Sequence, residues 1–407
     1  MKNFKMILSV LIVFALNVHA QEDEIKYRRS SIYSVLVNHT DQQFASEIKE
    51  AFLRIPVPDK FNDHNLSVKV LNMDKKLSGA AKDKENPAIT DFLNNNKIAS
   101  RLVAKWFNRD IYTGVCDMEL VKERGLYNAS EFDKQLALRS ERGIGMLQDA
   151  GEQLIGNTFV LVNDIRYVDK NKGAKTGAAI LRGLGAVLAA YSGTNIDDLT
   201  DNLGDMVETI KGFTVKINTF LYKLDWSDEH TEIFYKDQYS KNPDITKFNN
   251  FENARGNYKL TYVGKVESKG GTTSFMGINE EEPIVMVRKA CQRAIDENVV
   301  DLQRNYEEFK TYTPLVSVEP LTAYIGMKEG VSKDSRFEVL EVIEMEDGSH
   351  KYNKVGAIAP IENLIWDNRY MAEEEGAVGA TLGCTTFRII SGKEFYRGML
   401  IREMSNK

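Results

Sequence analysis

A phosphate-binding loop works by converging glycine amides on an anion, and it ends Gly-Lys-Ser/Thr. Residues 169–177 carry Lys175-Thr176 after a predicted strand and before a small-residue helix. Ala174 stands at the last glycine position and Asp169 at the first, where its carboxylate repels phosphate. Gly183-Leu184-Gly185 opens like a dinucleotide loop, but Leu188 occupies the third glycine position. A serine acylated with lysine assistance is suggested by Ser46-Glu47-Ile48-Lys49 together with Lys175-Thr176-Gly177, yet no Ser-x-Asn element lies between them. Ser192, in Ala190-Tyr191-Ser192-Gly193-Thr194, lacks both glycines of a nucleophile elbow. His39, His64, His230 and His350 do not pair at metal-ligand spacing and read as surface or turn residues. Glu280-Glu281-Glu282 and Glu373-Glu374-Glu375 read as solvated loop charges. No catalytic residue, cofactor or metal ligand is expected, and an enzyme is disfavoured.

Two sets of residues point to binding. Tyr222, Trp226 and Trp366 carry rings that stack on sugars or peptides if exposed, although such rings more often fill a core. Gly173, Gly177, Gly183, Gly185 and Ala189 place small residues along one helical segment, as helices do where they approach one another or a membrane. The uncharged run after Arg182 ends at Asn195 and is too short to span a bilayer alone. The next segment, Ile196 to Ile210, has an amphipathic pattern in which Asp197, Asp198, Asp201, Asp205 and Glu208 form a solvated acidic face. Their spacing is helical, unlike the alternating ligands of a calcium loop. A formal charge of −6 over 407 residues argues against a nucleic-acid partner.

The elements that must hold these residues alternate between strand and helix. Strands are expected at Ile32–Val37, Leu66–Leu71, Asp117–Val121, Thr158–Ile165, Phe213–Trp226 and Lys259–Val263. Thr158–Ile165 is apolar on both faces at its middle, as a central strand is. Thr40 or Asp41 is placed to cap a helix through Phe52 and Leu53 that Pro56 and Pro58 stop, and Asn86-Pro87 to open another that, itself or in its second half, carries Ile98, Leu102, Trp106 and Phe107 on one face. A helix is expected near Ser130–Ala150, and a long one over Pro283–Phe309. The order predicts an α/β domain with a mixed sheet and flanking helices over 21–312, with a Gly/Ala-rich insertion at about 171–211. After Pro314, short β runs and glycines predict a small β-barrel or sandwich over 313–407, including a hairpin that turns at Asp347-Gly348.

Residues 1–20 read as a secretory signal. Lys2 and Lys5 precede an apolar run from Met6 to Leu16, and Val18 and Ala20 are small residues at the −3 and −1 positions. Removing these twenty residues and two lysines from 407 residues at −6 leaves 387 at −8. No Cys follows Ala20, so a lipoprotein is not expected. Cys116, Cys291 and Cys384 read as free buried thiols, with one disulfide permitted by the exported compartment.

The segment 149–160, a helix delivering the chain into a strand, and the second long strand to Trp226 resemble the α/β core of the curli secretion channel subunit and related periplasmic envelope accessory proteins. Val115–Gly125 resembles the strand and Arg-Gly that precede a long helix there. Ile325–Val331 and Ser335–Leu340 are similar to the C-terminal barrels of flagellar assembly accessory proteins. The resemblance implies a non-enzymatic assembly, scaffold or adaptor protein of the periplasm or outer membrane. Its implied partners are envelope proteins or further copies of itself, with membrane contact but no transmembrane helix in the mature chain. A carbohydrate- or peptide-binding module is the alternative, and after it a secreted hydrolase with an unrecognised site.

Overall fold

The computed structural model describes residues 30–58, 60–72, 85–128, 154–168, 210–275, 283–344, 350–392 and 394–404. The expected signal sequence, the expected helix near Ser130–Ala150, the residues Gly173, Gly177, Gly183, Gly185 and Ala189, most of the expected acidic helix after them, and the expected Asp347-Gly348 turn lie outside these residues. Ile210, read as that helix's last residue, instead begins a strand.

Six strands form the first sheet: β1 (Ser30–Asn38), β2 (Phe61–Asp63), β3 (Val70–Asn72), β4 (Thr158–Tyr167), β5 (Ile210–Leu224) and β6 (Leu260–Phe275). The order is β2-β1-β4-β5-β6, and β3 pairs with the far half of β1. β1 is parallel to β2, β3 and β4, whereas β4, β5 and β6 run antiparallel. The sheet is therefore mixed, and Thr158–Ile165 lies on its central strand. The two-residue period sorts side chains to two faces. Ile32, Leu36, Phe159, Leu161, Ile165, Val215 and Ile217 meet α1 (Ala45–Arg54) and α7 (Pro283–Asn305). Tyr33, Val35, Val160, Val162, Phe220 and Tyr222 meet α2 (Pro87–Asn95) and α3 (Ile98–Trp106). Around the far end of α3 pack α4 (Glu119–Asn128), α5 (Asp228–Asp237) and α6 (Ile245–Ala254). Burying each large apolar side chain contributes about 1.5–3 kcal/mol, and both faces are lined by such residues.

Local chemistry explains the helix starts. The Asn86 side chain accepts from the Ala88 amide at 3.1 Å, with Pro87 at the first helical position. The expected cap of α1 by Thr40 or Asp41 is corrected: Phe44 holds the N-cap in the left-handed region without a side-chain cap. Residues 39–44 are used to dock on β4 instead. Gln42 donates to the Ile165 carbonyl and accepts from the Tyr167 amide, and Phe44 meets Tyr167 edge-on at 4.9 Å. The strand expected at Leu66–Leu71 shortens to Val70–Asn72. Before it, the Asn65 side chain accepts the Ser34 amide in place of a ladder carbonyl, and Leu66 turns inward. Asp117–Val121 is also corrected, because it opens α4. Asp117 accepts the Glu119 amide at 3.0 Å, and Arg124-Gly125 lie within the helix.

The C-terminal part is a closed six-stranded barrel. Its strands are β7 (Thr313–Val318), β8 (Leu321–Ala323), β9 (Phe337–Glu344), β10 (His350–Pro360), β11 (Thr385–Ser391) and β12 (Leu400–Glu403), ordered β10-β11-β8-β7-β12-β9. Closure removes the free strand edges that invite aggregation. Phe337, Phe387, Leu315, Ile358 and Ile401 fill the interior. The barrel meets α7 through ion pairs. Glu375 accepts from Lys289 at 2.7 Å and Arg293 at 2.6 Å, and Arg304 grips Glu403 through two nitrogens at 2.9 and 3.0 Å. No helix among the described residues is long and apolar enough to cross a membrane.

Candidate functional site

The residues singled out in the sequence do not converge. Ser46 and Lys49 lie in α1, and their partners at 175–177 are outside the described residues. Tyr222 is buried in the sheet, its ring edge-on to Tyr262. Trp226 is half-buried and packs against Tyr258 and Phe234. Trp366 belongs to the barrel, where its indole donates to the Ala380 carbonyl at 3.1 Å. The three thiols are free: Cys116 and Cys291 are buried and Cys384 is half-buried. Burial pushes the Cys291 thiol up to about 12, so it is not a nucleophile near neutrality. Among the described residues no group of three or more His, Cys, Asp or Glu can hold a metal ion.

Two of the histidines are not the surface or turn residues expected. His39, directly after β1, pairs with Asp164 of β4 at 2.5 Å, and Arg166 approaches the same carboxylate at 3.3 Å. Parallel strands end here, the usual place for a ligand crevice. The side chains are 1% and 8% exposed, however, so the pair is sealed from substrate and fastens the 39–44 loop. His64 is also buried: its Nε2 donates to the Leu102 carbonyl at 2.9 Å, and its Nδ1 accepts from Arg124 at 2.7 Å. Arg124 lies over the Trp106 ring at 4.2 Å, and the Trp106 indole donates to Thr158. A second buried polar chain crosses the other face, from Asn298 of α7 to Thr219, to Asn163, to Ser34. Both networks join helices to the sheet.

The accessible feature is a cleft of about 460 Å³ over the outer surface of α3 and α6. That volume is within the ordinary range for ligand sites, roughly 300–1,000 Å³. Arg101, Lys105 and Arg109 descend one side at intervals of four residues, and Phe248, Phe251, Glu252 and Arg255 form the other. Leu66 contributes apolar surface and exposed Ile111 flanks the mouth. Each cation is fixed. Arg101 donates to the Ser67 hydroxyl, and Lys105 to the Asn65 carbonyl at 2.6 Å. Arg109 pairs with Glu252 at 3.2 Å and lies over the Phe251 ring at 4.2 Å, its side chain 3% exposed and its Nε without a hydrogen-bond partner. Arg255 holds the second oxygen of Glu252 at 3.0 Å. Burial pushes the Lys105 ammonium down, Asp63 opposes this, and Arg124 and Lys69 reinforce it. The loop behind Arg109 is shaped by Asp110, which accepts from Tyr112 and Thr113, and by Gly114 at φ +71°. Any side chain at Gly114 would strike Phe248.

Sequence reading missed this cleft, although one signal was present. Arg101 and Lys105 are spaced by four on α3 with Arg109 four further on, just past the helix end, and Phe248, Phe251, Glu252 and Arg255 recur at three and four along α6 and its C-terminus. A second cavity, about 40 Å³, lies at the join to the barrel between Lys60, Arg304, Glu329 and Glu403. Burial pushes the Lys60 ammonium down against the pull of Glu329 and Glu403. It is large enough for water and too small for a substrate. No protein-family model matches the sequence, and no curated protein is significantly similar to it.

Proposed function

We propose that this chain is an exported, non-enzymatic envelope protein that acts as an assembly or scaffold adaptor in the periplasm or at the outer membrane. The observation that carries the reading is the join between the sheet and the barrel. Lys289 and Arg293 of α7 converge on Glu375, and Arg304 grips Glu403, so two modules with separate surfaces are held in one arrangement. A scaffold needs fixed spacing between surfaces more than it needs a reactive centre. The Lys2 and Lys5 leader with its Val18 and Ala20 positions supports export, and the resemblance of the two modules to envelope accessory proteins supports the compartment. Crosslinking in intact cells, with identification of the captured proteins and N-terminal sequencing of the mature chain, tests this. The expected result is a periplasmic chain beginning at Gln21 and discrete adducts with envelope proteins or with itself. An unprocessed cytoplasmic chain, or a processed one that yields no adducts, refutes it.

A further inference from the structure

We infer that the cleft between α3 and α6 is a recognition site for an acidic, extended peptide segment of a partner protein. The inference goes beyond the adaptor reading and rests on it only in taking the ligand to be protein. Four cations and one carboxylate line the cleft, in a chain whose net charge is −6. The local sign is therefore opposite to that of the whole molecule, and it draws negative groups to this place.

The cleft already holds one carboxylate, which shows the chemistry it takes. Glu252 bridges Arg109 and Arg255 at 3.2 and 3.0 Å. Beyond that bridge, Arg109 keeps a buried Nε with no partner, and no carboxylate among the described residues lies within ion-pair distance of Arg101. Guanidinium groups pair with carboxylates in two-point geometry, and such charge-assisted bonds are roughly twice as strong as neutral ones. Arg109 is also pre-positioned by the Phe251 ring, so little freedom is lost when it binds.

Extended peptide fits the rest of the surface. Its side chains alternate, so acidic residues can reach the cations while the apolar ones between them meet Phe248, Leu66 and Ile111, which line the same cleft. Exposed Ile111, at 71%, and Tyr112, at 83%, extend the apolar surface beyond the mouth. A polyphosphate or nucleic acid backbone uses the same cations but would leave Leu66, Phe248 and Ile111 bare.

The test is fluorescence anisotropy with the purified mature chain and a labelled octapeptide of alternating glutamate and leucine. Its glutamine counterpart, an oligothymidine and inorganic phosphate serve as the other arms. Binding of the glutamate peptide is expected to weaken about tenfold for each cation removed by Arg101→Gln or Arg255→Gln, and to weaken with added salt. Both residues are partly exposed and substitution leaves the core intact, and circular dichroism with thermal melting verifies this for each variant. Equal binding of the glutamate and glutamine peptides, indifference to both substitutions, or tighter binding of oligothymidine or phosphate than of the peptide overturns the inference. These arms use purified protein alone, whereas the adaptor reading fails or stands on crosslinks in cells, so the two failures are distinguishable.

Discussion

His64 is a buried histidine that the fold holds neutral, and this has a measurable consequence for acid stability. Its Nδ1 accepts from Arg124 and its Nε2 donates to Leu102, so an added proton would set two donors against each other at 2.7 Å. Burial, reinforced by the Arg124 charge, pushes its pKa well below the ordinary 6.5. The unfolded chain takes up a proton at this residue below about pH 6.5, and the folded chain does not. The unfolded state therefore gains as pH falls, and stability drops by up to about 1.4 kcal/mol per pH unit until the folded-state value is reached. Between pH 7.5 and pH 4.5 the loss from this one group therefore accumulates below about pH 6.5, where the unfolded chain takes up the proton.

The informative variant is His64→Gln. A glutamine carbonyl can accept from Arg124 and its amide can donate to Leu102, but it cannot titrate. At pH 7.5 the variant is expected to be less stable by about 1–3 kcal/mol, because it loses ring packing beside Trp106, whose centroid is 5.2 Å away. As pH falls below about 6.5, that deficit should shrink at up to about 1.4 kcal/mol per pH unit, since only the wild type bears the protonation cost. Urea unfolding at half-unit pH intervals, followed by circular dichroism and tryptophan fluorescence, measures the difference, and carboxylates common to both proteins cancel. A deficit that stays constant or widens between pH 7.5 and pH 4.5 refutes the argument.

Two further substitutions test how α7 is seated. Gly270→Ala would place a methyl 2.1 Å from the Ala290 carbonyl oxygen and 2.8 Å from the Ala294 methyl, so the helix must move off β6. A loss of about 1–3 kcal/mol is expected in thermal melts, and a smaller one for Gly271→Ala, whose nearest neighbour is the Thr214 hydroxyl at 3.3 Å. Glu375→Gln removes the charge that joins α7 to the barrel. Burial works against that charge, but Lys289 and Arg293 hold the carboxyl below its usual range, so its contribution is present above pH 4.5 and is lost as pH falls through the lower folded-state value. The variant should show faster amide exchange along 289–293 and 370–376 at pH 7, and exchange unchanged from wild type would refute the clamp.

What was legible in the sequence was what local patterns determine. Asn86-Pro87 has the chemistry of a cap and is one. The two-residue alternation along Phe213–Leu224 puts Phe213, Val215, Ile217 and Leu221 on one face of β5 and Phe220 and Tyr222 on the other, and each face is buried against a different helix pair. The glycine-punctuated runs after Pro314 form a barrel. What failed depended on distant contacts. Thr40 and Asp41 had the right chemistry for capping, but Gln42 and Phe44 are held by β4, more than a hundred residues away in sequence. His39 and His64 looked like surface residues because Asp164 and Arg124, their partners, are remote. The cleft draws on residues 66–67, 101–111 and 248–255, and no window of sequence contains all three.

The cations of that cleft are poorly explained by stability alone. Removing a charge from water costs several kcal/mol, and well-packed apolar residues usually serve a fold as well or better. Arg109 is nearly buried, and Lys105 is half-buried with its ammonium pushed down by that burial. Only one carboxylate, Glu252, is shared between two arginines, and Lys105 is met by the neutral carbonyl of Asn65. Arg124, two shells deeper, answers a structural need, since it ties β2, α3 and Ser31 together through His64, the Asp63 carbonyl and Trp106. Arg101 and Lys105 bond to Ser67 and to the Asn65 carbonyl, and Arg109 to Glu252 and the Phe248 carbonyl, so a single carboxylate among the described residues answers the cations of the cleft. Their desolvation is offset best when a second negative group enters beside Glu252. The same placement that carries a desolvation cost thus favours the acidic segment proposed for this cleft.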